Sequence, residues 1–238
     1  MGWRKAAHIS ESPAMQPWEL LDEANIPGSG ETLRLKRRGT EYSIMLGANE
    51  LMNSRLSGSE KALATLSLEK LGARKSPHVL IGGLGMGFTL RAALEAAGDT
   101  ARITVAELVP SVIAWARGPM ADLHGASLTD PRVTIFEGDV GAAIRAGKAG
   151  YDAILLDVDN GPDGLSRPSN DALYNAKGLD EARAALTPGG VLAVWSSAPD
   201  AAFTRRLKQA GFTTEEKPVR AHGKTGARHM IWLATRPG

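Results

Sequence analysis

Pro77-His-Val-Leu-Ile-Gly-Gly-Leu-Gly-Met-Gly-Phe-Thr-Leu-Arg91 joins an apolar run, a Gly-x-Gly-x-Gly turn (Gly83, Gly85, Gly87) and the start of a helix-forming stretch. Glycine lets a backbone turn tightly and come close to a bound group. The helix start adds free N–H groups and the positive end of a dipole. The next apolar run, Ile103-Thr-Val-Ala-Glu107, ends in an acid. It lies at roughly the twenty-residue spacing from which a carboxylate can hold two ribose hydroxyls. Strand, turn, helix, strand and acid in this order predict a nucleoside-binding α/β domain, with Gly83, Gly85, Gly87 and Glu107 at the ligand.

Downstream of this block, strand and helix patterns alternate. Strands are predicted at 78–82, 102–107, 132–136, 151–157 and 190–196, and helices at 87–97, 110–117, 139–147, 171–186 and 200–210. Such alternation predicts a parallel sheet covered on both faces. The end of the chain departs from it. Phe212-Thr-Thr-Glu-Glu-Lys217 and Arg228-His-Met-Ile-Trp-Leu-Ala234 are strand-like, and the Gly-containing link between them has no room for a crossover helix. They therefore predict an antiparallel pair. A doubly wound, mostly parallel sheet that closes on a C-terminal antiparallel hairpin is the plan of the class I methyltransferase-like (Rossmann-like) fold. A dehydrogenase-type domain continues with parallel units instead.

Upstream, residues 1–30 are rich in Pro, Gly, Ser and charge and read as a loosely ordered lead-in. Thr32-Leu-Arg-Leu-Lys36 and Tyr42-Ser-Ile-Met-Leu46 alternate apolar and polar residues around Arg37-Arg-Gly-Thr40, the pattern of a β-hairpin. Leu63, Leu66, Leu68 and Leu71 give Gly58–Leu71 an apolar stripe that Gly72 ends, so this stretch predicts an amphipathic helix. The expected division is an N-terminal extension with a small β-hairpin region at 1–57 and a methyltransferase-like domain at 58–238.

Composition narrows the function. In 238 residues, 28 basic side chains nearly balance 26 acidic ones, which gives no basic footprint for nucleic acid. The absence of cysteine removes disulfides, thiolate metal sites and a thiol nucleophile. The five histidines show no paired metal spacing. The N-terminus lacks a signal-like apolar core, and no apolar run reaches membrane-span length. The expectation is a cytoplasmic protein with no metal, no membrane and no nucleic-acid partner.

Further candidate residues follow the third and fourth strands. Glu137-Gly-Asp139 places an acid where it can accept an adenine amino group, with the Val140 N–H offered to a ring nitrogen; Asp139 also suits a helix N-cap. Tyr151-Asp-Ala-Ile-Leu-Leu-Asp-Val-Asp-Asn-Gly-Pro-Asp163 runs a strand into an acidic loop. Ligands of open α/β sheets sit at the carboxyl ends of the strands. Asp157, Asp159, Asn160 and Asp163 therefore stand where chemistry is expected, and clustered carboxylates suit a cationic substrate. Asp157 is the first candidate general base and Asp159 the next. A capped, solvated turn is the plain alternative. Trp195, at the end of the fifth strand, can line the substrate pocket or simply pack.

Together, the hairpin, helix, Gly-rich turn, Glu107, Gly138-Asp139 and the Tyr-Asp-x-Ile-x-x-Asp block resemble the spermidine synthase (polyamine aminopropyltransferase) family over roughly residues 31–236. The resemblance implies a methyltransferase-like domain behind an N-terminal β region, and a homodimer. It implies S-adenosylmethionine or its decarboxylated form as donor and a small-molecule amine as acceptor, with no metal. Asp157 is then expected to help deprotonate the amine, Glu107 to hold ribose and Asp139 adenine. Three positions depart from the family's pattern. Met86 stands where the family has an aspartate that contacts the aminopropyl amine. The substrate-holding Tyr-His-Glu reads Gly58-Ser59-Glu60, leaving Glu60 as the substrate residue. The Asp-x-x-Asp-Pro motif reads Asp157-Val-Asp-Asn160-Gly, so its second acid is an amide. The leading expectation is aminopropyl or methyl transfer to an amine. The alternatives are a methyltransferase with another small-molecule substrate and a non-catalytic nucleoside-binding module.

Overall fold

The computed structural model describes residues 16–158, 161–162, 172–222 and 225–238. Asp159, Asn160 and Asp163 lie outside the described residues. Two sheets make up the molecule. The first is antiparallel, in the order β1 (Glu19–Asn25), β2 (Thr32–Arg38), β3 (Glu41–Leu46) and β4 (Asn49–Asn53). The second has seven strands. Five of them are β5 (His78–Gly82), β6 (Arg102–Glu107), β7 (Val133–Glu137), β8 (Tyr151–Leu156) and β9 (Leu186–Ser196). The terminal pair is β10 (Thr213–His222) and β11 (Thr225–Thr235). Its order is β10-β11-β9-β8-β5-β6-β7. The β5, β6, β7, β8 and β9 pairings are parallel, and β11 runs antiparallel to both β9 and β10. This is the methyltransferase-like plan expected from the sequence.

The larger sheet is apolar on both faces. Val79, Ile81, Ile103, Val105, Ala153, Leu155, Ile231 and Leu233 point to one side, and Leu80, Ile154, Leu156, Trp232 and Ala234 to the other. The first side packs on α1 (Gly58–Leu71), α2 (Phe88–Ala96) and α3 (Pro110–Arg117). The second side packs on α5 (Val140–Ala146), α6 (Ala176–Ala185) and α7 (Ala201–Gln209). A short α4 (Ala121–His124) and a 3₁₀ turn (Gly125–Thr129) lead back to β7. Alternation with period two inside continuous apolar runs is what a doubly covered sheet requires.

Three sequence expectations change. The predicted hairpin is the centre of a four-stranded sheet, and part of the supposed loose lead-in, Glu19–Asn25, is its edge strand β1. That strand buries only Ala24, so its sequence carries no alternation to read. The helix predicted over 171–186 covers Ala176–Ala185 after a separate helical turn at 172–174, and Leu186 already pairs with Tyr151. Asn175 caps α6, its side chain accepting the Gly178 N–H at 2.9 Å, which sets the later start. Finally, the terminal hairpin is longer than predicted at both strands.

The small sheet is tied onto the large domain by polar contacts. Trp115 Nε1 donates to Asp22 Oδ2 at 2.7 Å, and the Tyr42 hydroxyl donates to the Pro119 carbonyl at 2.6 Å. Leu33, Leu35 and Ile44 are buried in the same core as α1, α2 and α3. The topological switch lies at β5, where the chain passes to β6 on one side and β8 on the other. The small sheet covers the carboxyl ends of these strands.

Candidate active site

The turn after β5 brings the site together. Gly83 sits at φ +93° and a Cβ on it would lie 2.5 Å from the Asp157 carbonyl oxygen; Gly85 sits at φ +48° and its Cβ would meet Met52 Sδ at 2.8 Å. The turn is therefore squeezed between the end of β8 and the β4 strand of the small sheet, and a side chain at either glycine would force them apart. Two cavities meet here, sharing Leu51, Met52, Gly83, Gly85 and Asp157.

The first cavity, of about 120 Å³, runs from the glycine turn past Glu107 to Gly138, Asp139 and Val140. Glu107 is buried, not a solvated strand end. Its Oε2 accepts the Leu84 N–H and its Oε1 the Val109 N–H, both at 2.9 Å. Burial raises the carboxyl's pKa, while these backbone donors pull it back down. The Gly85 and Leu108 N–H groups act on the same carboxyl, which lines the cavity. Asp139 caps α5, accepting the Gly141 N–H at 3.1 Å, and lines the same cavity. Val140 opens that helix, where an N–H has no intrahelical acceptor. Leu33, Ile44, Leu51 and Met52 from the small sheet form the apolar remainder of the wall.

The second cavity, of about 90 Å³, is lined by Glu60, Met86, Gly87, Phe88, Asp157 and Trp195 along with the shared residues. Asp157 follows the last residue of β8, and the Thr89 hydroxyl donates to its Oδ2 at 2.6 Å. Burial above all, and then the charge of Glu60, push its pKa up to about 7, against the partial relief from Thr89. Two carboxylates thus face one small, mostly apolar space. Such a space suits a cation and supplies a base poised near neutral pH. Trp195 forms part of the wall and meets His229 edge-on, with ring centroids 4.8 Å apart.

The structure thus gathers Gly83, Gly85, Glu107, Asp139 and Val140 around one cavity and Glu60, Gly87, Asp157 and Trp195 around the other. Gly87 has a second neighbour: its Cβ would lie 2.5 Å from Nδ1 of the buried His124. Burial, with Arg91 adding to it, drops the His124 pKa to about 4, so the ring is a neutral support under the turn. Among the described residues no cluster of His, Asp and Glu suits a metal ion, and no helix is long and apolar enough to cross a membrane. Sequence reading missed the small-sheet wall and Thr89. Thr89 did carry a signal, being a polar residue between the apolar, buried Phe88 and Leu90 at the start of the helix.

Residues 61–204 match the model of the spermine/spermidine synthase domain. The chain belongs to this family. Polyamine aminopropyltransferase 1 of Streptomyces coelicolor is 32% identical over 60% of the chain, and the polyamine aminopropyltransferase of Mycobacterium tuberculosis is 32% identical over 65%. Putrescine N-methyltransferase 4 of Nicotiana tabacum is 37% identical over 51% of the chain. These matches span only 28%, 29% and 30% of those relatives' own lengths. Among solved structures, a spermidine synthase bound to the transition-state analogue AdoDATO superposes with a TM-score of 0.72 at 18% identity, covering 91% of this chain and 72% of that one. The spermidine synthase from Thermotoga maritima gives 0.71 at 17% identity, with the same coverage of both chains. These likenesses bear on the fold of this spermidine synthase-like chain.

Proposed function

We propose that this chain is a transferase that binds an S-adenosyl nucleoside in the first cavity and moves an aminopropyl group from it to a cationic amine in the second. The observation that carries this reading is Asp157. It sits where the two cavities meet, beside Glu60, with a carboxyl whose pKa is about 7. The donor's sulfonium supplies an electrophilic carbon, and the chain supplies everything else. Glu107 accepts from ribose hydroxyls while staying anchored by the Leu84 and Val109 N–H groups. Asp139 accepts from the adenine amino group, and Val140 donates to the ring. Leu51 and Met52 close the junction against water. Glu60 and Asp157 attract the amine. Its charge offsets their mutual repulsion and favours the ionised form of Asp157. That carboxylate then takes the proton that the attacking nitrogen must lose, so that a lone pair is free for in-line displacement. Asp159 as a second candidate base, and Asn160 and Asp163 as acceptor residues, are proposed from the sequence alone.

A second reading, methyl transfer from intact S-adenosylmethionine, is favoured by one observation. Met86 is buried in the wall of the second cavity, at 2% exposure, where the resemblance places an aspartate. An apolar thioether gives a bare aminopropyl ammonium no carboxylate partner. The relatives that carry the name putrescine N-methyltransferase fit this alternative. Calorimetry with S-adenosylmethionine and its decarboxylated form, side by side, tests the donor half. Binding of both within tenfold of each other is expected. A strong preference for the decarboxylated form would refute the methyl-transfer reading, and binding of neither would refute both.

A further inference from the structure

Glu60 does not hang freely in the second cavity. The buried Ser59 hydroxyl donates to Glu60 Oε2 at 2.7 Å, and Ser59 Oγ lies 2.9 Å from His229 Nδ1. A serine hydroxyl has one proton. Since Ser59 gives it to Glu60, the hydrogen of the second bond belongs to His229 Nδ1. The chain therefore reads His229 N–H to Ser59 O–H to Glu60 carboxylate. It joins the antiparallel strand β11 to the first turn of α1, far apart in sequence. The His229 ring is fixed in turn by the edge-on Trp195, itself a wall of the cavity. On the other side, Thr89 donates to Asp157 and lies 3.3 Å from the Glu60 carbonyl.

From this geometry we infer that His229 is a positioning residue for the acceptor: through Ser59 it holds the Glu60 carboxylate facing Asp157, so that a cationic amine meets two carboxylates in fixed places. The inference rests on the transferase reading and adds to it a residue from the terminal strand pair. Among the described residues, the charge acting on both His229 and Asp157 is that of Glu60. Burial lowers the His229 pKa, and the chain selects the ring tautomer that carries its hydrogen on Nδ1. The groups facing His229 from β9 and β10, Trp195 and Val219, carry no charge.

The test uses the full chain with putrescine (1,4-diaminobutane) as probe and S-adenosylhomocysteine to fill the donor site. His229→Ala is expected to weaken putrescine binding about tenfold, the loss of one ordered hydrogen-bond chain, with S-adenosylhomocysteine affinity unchanged. His229→Asn, whose side-chain amide can reach the Nδ1 position, is expected to restore most of it. Ser59→Ala is expected to match His229→Ala, and the double variant to be no worse than either, as members of one chain are not additive. The ¹³C titration of the Asp157 carboxyl gives a readout that needs no amine. Its midpoint, expected at about 7 in the parent, should fall in His229→Ala, where Glu60 is free to turn away, and stay in His229→Asn. Putrescine affinity and Asp157 titration both unmoved in His229→Ala would overturn the inference. So would equal losses of donor and amine affinity, the mark of a merely structural role. If the parent binds the nucleoside but no putrescine, the transferase reading fails, and the Asp157 titration still decides whether His229 fixes Glu60.

Discussion

The two cavities that meet at the glycine turn are built on opposite electrostatic principles. In the nucleoside cavity, the buried acid is already answered: Glu107 receives two backbone N–H groups and Asp139 a third as a helix cap. In the proposed function these are the groups that meet the nucleoside. In the acceptor cavity, Glu60 and Asp157 repel each other in apolar surroundings, and Asp157 keeps its proton up to about pH 7. On the proposed function, an entering cation offsets that repulsion. The acid of the first is paired with backbone donors, and those of the second face each other with little compensation.

The comparison is broken most severely at Asp157. Asp157→Asn keeps the shape and removes the base, so turnover should fall about 10²-fold or more, with nucleoside affinity nearly unchanged; steady-state rates and calorimetry separate the two. The same group makes stability depend on pH. Its folded value, about 7, lies above the ordinary 3.8, so the folded chain holds this proton longer than the unfolded chain. Its contribution is therefore fully present below about pH 4 and lost as pH rises from about 4 to about 7. Thermal melts should show that decline in the parent and a flatter profile in Asp157→Asn. Amine binding near pH 6.5 should release a proton, measurable by calorimetry in buffers of different ionisation enthalpy.

Glu107 tests the satisfied half. Glu107→Ala should weaken S-adenosyl ligands by about 1.5–3 kcal/mol, the loss of charge-assisted hydrogen bonds. It should also lower the melting temperature, because the buried Leu84 and Val109 N–H groups lose their acceptor. An affinity equal to the parent's would remove the ribose assignment.

A smaller effect sharpens the boundary between donor and acceptor. Met86→Asp adds a carboxylate to the wall of the second cavity and should shift donor preference about tenfold toward the decarboxylated form, as one charge-assisted contact provides. Competition binding with the two donors reads this directly. The smallest expected effect is at Asp139, where Ala costs the α5 cap about 1 kcal/mol of stability and weakens adenine-containing ligands in the same range. Denaturant midpoints and calorimetry report each.

The same contrast governs what the sequence could disclose. The strand–turn–helix block, Glu107 and Asp139 all lie in local patterns, because a fixed nucleoside frame is built from consecutive elements around β5, β6 and β7. Asp157 was readable for the same reason, at the end of an apolar strand. The second cavity is assembled from distant pieces: Glu60 from α1, Trp195 from β9, Met52 from β4 and, behind Glu60, His229 from β11. No spacing rule links residues 59 and 229. They meet because β11 inserts antiparallel beside β9, a consequence of topology. Glu19–Asn25 escaped for a humbler reason, since an acidic edge strand with one buried residue carries no period-two signal.

The most direct test of alkyl transfer to a cationic amine is release of the thioether product. Each S-adenosyl donor is incubated with a panel of di- and polyamines at pH 7.5, with Asp157→Asn in parallel. The account predicts amine-dependent release of methylthioadenosine or S-adenosylhomocysteine by the parent chain and at least about 10²-fold less by Asp157→Asn. Tight nucleoside binding with no product from any amine would contradict it and leave a nucleoside-binding module.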